Sequence, residues 1–302
     1  MAGYRTVRAE VFATLPEAFR RKGVPSSRRA GQRGQPREAH SFLEGPAFGP
    51  DGNLYVADIP FGRIFRVTPG GQVELAVQYE GEPTGMKILA NGLARVTDQL
   101  RGLIQIDFKT GEVAAVAPRR YAEGYRGLND LCIGQSGEVY FTETGFSDMS
   151  DPTGRVYRLD PDMTQHVLIR NGPGPNGVVL SPDENTLYVG MTRANSIWRC
   201  PLMVDGGSTK VSAFITLSGG QGPDGIAIDE SGGLAVAHVG LGVVWVFDAK
   251  GEPVLRIESP VGDLTTNLAF GGPDRRTLFI TEAHSGSILA ARVDIPGLAR
   301  RW

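Results

Sequence analysis

PNGVVLSPDENTLYVGMTRANSIWRC, residues 175–200, reads as strand, turn, strand, loop, strand. Its apolar runs are short, and Ser, Pro, Asp and Asn bound them as turn formers. The unit recurs along the chain. Upstream stand EGPAFGPDGNLYVADIPFGRIFRV (44–67), PTGMKILANGLARVTDQLRGLIQI (83–106) and LNDLCIGQSGEVYFTETG (128–145), the last continued by GRVYRL (154–159). Downstream stand PDGIAIDESGGLAVAHVGLGVVWVF (223–247) and TNLAFGGPDRRTLFITEAHSGSILAARV (266–293).

Each unit opens on an oxygen-bearing side chain: Glu44, Thr84, Asn129, Asn176, Asp224 and Asn267, at intervals of 40, 45, 47, 48 and 43 residues. A second column follows 14 or 15 residues later: Asp58, Asp98, Glu143, Met191, His238 and Glu282. A period of about 40–50 residues with several short strands per repeat predicts a β-propeller. The fold class is therefore all-β: a six-bladed β-propeller with four-stranded antiparallel blades. The sixth repeat runs out of chain after its third strand, because the tail DIPGLARRW is a poor strand. Residues near Thr6–Phe12 are expected to supply the missing outer strand and close the ring, removing an open edge. The organisation expected is one domain over 1–302. Residues 1–43 hold the closing strand and a basic loop, 44–292 the blades and 293–302 the tail.

The chain has 302 residues, enough for a substantial core, and a net charge of −2, which gives no basis for a nucleic-acid or membrane partner. No apolar run is long enough to span a bilayer, and MAGYRTVRAEVF lacks the apolar segment of a secretory signal. Cys132 and Cys200 fall in strand-like stretches of different repeats and read as buried small hydrophobes. The expected location is the cytoplasm. The oligomeric state is not encoded in any of these features. Residues 16–42 carry Arg20, Arg21, Lys22, Arg28, Arg29, Arg33 and Arg37 among Pro, Gly and Ser, and read as a solvated loop.

A propeller brings equivalent positions to one axis. Glu44, Asn129, Asn176 and Asp224 would then offer two charges and four hard oxygens, a set that suits Ca²⁺ with waters completing the shell. Mg²⁺ or Mn²⁺ would also fit, and Zn²⁺ is disfavoured on ligand type. Two carboxylates meeting there unpaired would repel and be poorly solvated, which a cation relieves. For any single Asn or Asp before a strand, a turn role is the simpler reading. Strand alternation returns the second column to the same face, where Asp58, Asp98, Glu143, His238 and Glu282 are expected to ring the first. His238 reads either as a proton shuttle or as a structural histidine. Arg126, three residues before Asn129, is a candidate for holding a substrate oxygen, with pairing to Glu123 as the alternative. Serine-hydrolase elbow, zinc-protease and phosphate-loop motifs do not occur.

FLEGPAF (42–48), LNDL (128–131), GEVYFT (137–142), GRVYRLDPD (154–162), PNGVVLSPDENTLYV (175–189), GPDGIAID (222–229) and TNLAFGGPD (266–274) together resemble the SMP-30/gluconolactonase/LRE-like family. The resemblance covers roughly residues 42–292. It implies one divalent cation held by Glu44, Asn176 and Asp224, with Asn129 as a further ligand or substrate contact. It also implies hydrolysis of a small-molecule lactone, sugar-type or other, with Asp224 as general base or water-orienting group. His238 would be the second catalytic candidate, and Arg126, Asn129 and Glu143 would bind substrate. A phosphotriesterase or other esterase on the same ring, and a binding propeller with a structural cation, remain alternatives. Two features depart from the family pattern: Glu143 stands where Asp is usual, and the leader and the insert after Thr144 are long.

Overall fold

A computed structural model of the chain describes residues 3–22, 39–116 and 124–299. Six sheets, antiparallel except for one added strand, are arranged in a ring, and the described helical segments are single 3-10 turns. The inner strands are Leu43–Phe48, Pro83–Ile88, Leu128–Ile133, Pro175–Leu180, Gly222–Ile228 and Thr265–Gly271. Each pairs with the next strand of its own blade through a tight turn.

Six hydrophobic clusters hold the ring, each between two neighbouring blades. Ile64 and Met86 meet between blades one and two, and Val178 meets Val156 between blades three and four. Ile197 meets Val236 between blades four and five. Inner strands buried on both sides explain why their apolar runs are continuous rather than alternating.

The ring closes through the N-terminus, with a shift from the expected segment. Strand β1 (Arg5–Arg8) runs parallel to Pro253–Glu258 and adds a fifth strand to blade five. The chain crosses at Ala9, and strand β2 (Glu10–Thr14) pairs antiparallel with Ser287–Arg292 to complete blade six. Closure therefore falls at Glu10–Thr14 rather than along Thr6–Phe12. Ala13 and Leu15 seal the junction between blades six and one beside Phe279 and Phe65. The tail makes one isolated bridge, Gly297 with Asp229, so it is the poor strand expected.

Part of the leader is built in. Arg20 donates to the carbonyls of Leu15 (3.1 Å) and Ser285 (2.7 Å). Arg63, itself buried, donates to the carbonyl of Phe19 at 2.8 Å. Arg20 is thus a clasp and not a solvated charge. Arg28, Arg29, Arg33, Arg37 and Glu123 lie outside the described residues. Neither cysteine forms a disulfide, and both are buried.

Candidate metal centre and active site

All six inner strands break register at the same place. The irregularity falls between Glu44 and Ala47, Pro83 and Met86, Leu128 and Leu131, Pro175 and Val178, Pro223 and Ile226, and Thr265 and Leu268. A bulge re-aims a side chain and frees backbone groups from the ladder. Here threonines take the freed groups. The N–H groups of Gly85, Asp130 and Asn267 donate to Oγ1 of Thr97, Thr142 and Thr281 at 2.9–3.0 Å. Threonines also tie three blades to the next: Thr97 donates to Asn129 O, Thr142 to Asn176 O and Thr266 to Leu43 O.

These equivalences correct one position. Asn267 aligns with Gly85 and Asp130, so the top column reads Glu44, Thr84, Asn129, Asn176, Asp224 and Thr266. The next column reads Gly45, Gly85, Asp130, Gly177, Gly225 and Asn267. Two side chains in an otherwise glycine column were the available signal for Asp130, which the motifs do not single out, and for Asn267, which spacing places in the top column.

Glu44, Asn176 and Asp224 are buried, and Asn129 is half-buried. Burial pushes the Glu44 carboxyl up to about 8, with the charge of Asp130 adding to it. The Gly45 N–H at 2.9 Å, the Asn267 amide and Lys87 oppose that rise. Asp224 is held well above the ordinary carboxylate range by burial first and then by Glu44 and Asp130. The Asn176 amide and Arg193 oppose this rise. Asp130 is raised by burial, with Lys87 the largest opposing influence. Three carboxylates thus share one desolvated space.

The fit to a cation rests on two atoms. Oδ1 of Asn176 and Oδ1 of Asp224 are fully buried and have no hydrogen-bond partner. Buried oxygens are normally satisfied, so two orphans beside the Glu44 carboxylate mark a place for a positive ligand. Among the described residues no group of three or more His, Cys, Asp or Glu has metal-binding geometry. A cation here would therefore depend on carboxamide and water oxygens beside the carboxylates, as hard cations do.

The second column does something other than ring the first. Leu43 pairs with Asp58 and Glu44 with Ala57, so alternation turns Asp58 away from Glu44. Its polar members clamp the loops of their own blades. Asp58 accepts the N–H of Phe42 and the guanidinium of Arg63. Asp98 accepts N–H groups of Glu82, Leu100 and Arg101, and Glu282 those of Leu264, His284 and Ser285. Glu143 accepts the Arg126 N–H at 2.6 Å and the Tyr157 hydroxyl at 2.8 Å, and is 1% exposed. This geometry suits a loop anchor rather than the expected substrate contact. His238 is 0% exposed, with Nε2 3.0 Å from Gly219 O and Nδ1 buried without a partner. Burial lowers its pKa, favouring the neutral ring. It has the same clamping place as the acidic members, which removes the ground for a proton shuttle.

Arg126 is exposed, and its backbone anchors on Glu143. Arg193, exposed in the Thr192–Ala194 turn, is the guanidinium whose field reaches Asp224. Motif reading missed it because it belongs to no repeated column. Below the ring, a cavity of about 210 Å³ occupies the lower channel, and Lys87 is its charged lining residue among Ala47, Cys132, Val179, Ala227 and Ala269.

Fold and site together define a six-bladed propeller with an oxygen-lined axial centre suited to a hard cation. The SMP-30/gluconolactonase/LRE-like model matches residues 42–284, and the chain belongs to that family. It is 33% identical over 241 residues to lactonase drp35 of Staphylococcus epidermidis, covering 73% of this chain and 70% of that protein. Among solved structures, a calcium-binding regucalcin from Agrobacterium tumefaciens superposes with a TM-score of 0.79 at 22% identity, over 100% of this chain and 99% of that one. A gluconolactonase from Xanthomonas campestris gives 0.74 at 23%, over 97% and 98%. At those identities the structures speak for the fold.

Proposed function

We propose that this protein is a lactonase that opens the ring ester of a small molecule by adding water, with a divalent cation, Ca²⁺ first among the candidates, at the propeller axis. The observation that carries the reading is the pair of unpartnered buried oxygens on Asn176 and Asp224 beside Glu44. It occurs in a chain whose curated relatives include lactonases. Glu44, Asn176 and Asp224 would hold the cation, with Asn129 as the fourth donor. When bound, the cation polarises the ester carbonyl and offsets the charge that develops on its oxygen.

The chain's own groups do the rest. Asp224 would also orient the attacking water and accept its proton as the carbon–oxygen bond forms. The ring C–O bond then breaks, and the proton passes to the departing alkoxide to give a hydroxy acid. Arg193, whose charge reaches Asp224, would meet the new carboxylate. A panel of sugar, aliphatic and aromatic lactones in a pH-stat assay tests the reading. Base uptake with one class supports it. No uptake with any class, from protein that binds Ca²⁺, refutes it.

A further inference from the structure

We infer that the lower half of the axial channel is a second binding site, for a small organic carboxylate with an apolar body, and that Lys87 holds its carboxylate group. Three residues below the ring the inner strands carry one equivalent column: Ala47, Lys87, Cys132, Val179, Ala227 and Ala269. One position higher, Met86, Val178, Ile226 and Leu268 are buried between blades. Lys87, Val179, Ala227 and Ala269 are only half-buried, so alternation turns this column to the axis. Apart from Lys87 its side chains are small, and the channel widens at their level. All six line the cavity of about 210 Å³. Leu298 adds a further apolar wall, its N–H fixed on Ile228 O at 3.1 Å. A dry cavity of about 150 Å³ with Leu, Ile and Phe walls takes up benzene. This cavity, at about 210 Å³, accommodates one ring together with a carboxylate.

Lys87 is the one charged residue of the lining. Its Nζ donates to Met86 O at 3.2 Å, and among the described residues it forms no ion pair. An ammonium has three donors, so the carbonyl leaves two unused. An unpaired charge beside apolar walls is costly, and an entering carboxylate relieves that cost through charge-assisted hydrogen bonds. The charges above set a limit. Asp130 and Glu44 stand at the ring end, and the Lys87 field reaches both. A monoanion is therefore favoured over a dianion, which those carboxylates would repel. The walls select the rest of the ligand. They give hydroxyl groups no partners, so a ring or branched hydrocarbon is favoured over a sugar acid.

The test is calorimetric titration of the full chain with benzoate, in the presence of a chelator so that no axial cation can take the carboxylate. Benzyl alcohol and gluconate are the comparison ligands, and Lys87→Met and Ala227→Leu the variants. Benzoate should bind wild type one to one and raise its Tm. Lys87→Met should weaken benzoate about 10–100-fold, the usual effect of losing a hydrogen bond to a charged group. Benzyl alcohol should bind wild type more weakly than benzoate by a similar factor, and gluconate should not bind. Ala227→Leu fills the cavity and should abolish benzoate binding. No benzoate binding by folded wild type, equal binding of benzyl alcohol, or wild-type affinity in either folded variant overturns the inference. If Lys87→Met does not fold, Lys87→Gln carries the same comparison with the same outcomes. The lactonase reading is tested separately, by turnover, and does not depend on this site.

Discussion

After burial itself, the charge of Glu44 is the largest influence raising the Asp224 carboxyl above its ordinary range, although 180 residues separate the two in sequence. A divalent cation between them reverses that influence, since each carboxylate then meets a positive charge instead of a negative one. Asp224→Asn keeps the shape and an oxygen donor but cannot accept a proton. Turnover should fall about 10²–10⁴-fold while Ca²⁺ binding persists, weakened. Steady-state kinetics beside calorimetry check this, and full turnover in the variant would remove Asp224 from the base role.

The same burial predicts how metal-free protein responds to pH. Glu44 has its folded pKa raised from 4.5 to about 8, and Asp224 and Asp130 are raised with it. Between those limits the folded state holds protons that the unfolded chain releases, so stability falls as pH rises. Each group contributes roughly 1.4 kcal/mol per pH unit while it titrates. Thermal unfolding of the stripped protein should show Tm dropping from pH 5 to 8, with saturating Ca²⁺ flattening the slope. A stripped-protein Tm that rises over that range would contradict the shared desolvated centre.

Arg63 and Asp58 form a buried ion pair, with Nε 2.9 Å from Oδ2, and Arg63 also holds the carbonyl of Phe19. Arg63→Ala leaves Asp58 buried without its counter-charge. The expected cost is about 3–5 kcal/mol in denaturant unfolding. A loss under about 1 kcal/mol would mean that water replaces the guanidinium.

His238 should behave as a structural group. His238→Asn loses the contact to Gly219 O in a buried place and should cost about 1–3 kcal/mol of stability. The pH profile of turnover should keep its shape. A shifted profile with unchanged Tm would restore the catalytic role.

The N-terminal strands differ in importance. Deleting residues 1–8 removes β1, an added outer strand of blade five, and should leave a folded propeller. Deleting 1–15 removes β2, Ala13 and Leu15, and with them the closure of blade six. That variant should aggregate, because it leaves an open strand edge. Circular dichroism and gel filtration separate the two; equal behaviour would move the closure elsewhere.

The blade count and the ring positions of Glu44, Asn129, Asn176 and Asp224 were legible because a repeat imposes the same strand start on each blade. Asn267 was misaligned because 16 residues separate Thr266 from Glu282, against 14 or 15 in the other blades, so the shared spacing lands one position late. Asp58, Glu143 and His238 looked like site residues because they share a face with the ring. Their one-residue offset in register, which turns them to the loops, is a property of the bulges and is invisible in spacing. The crossover at Ala9 left no mark, since an alternating stretch reads the same whether it serves one blade or two. Arg193 and Lys87 act through proximity alone, which only the folded ring creates.

The measurement that bears most directly on the cation-dependent lactonase is turnover of a lactone by metal-stripped protein as Ca²⁺ is added back, with bound Ca²⁺ measured in the same samples. Activity should rise from near zero in proportion to occupancy and saturate at one ion per chain. Full activity in the stripped protein, or a filled site with no turnover of any lactone class, would contradict the assignment.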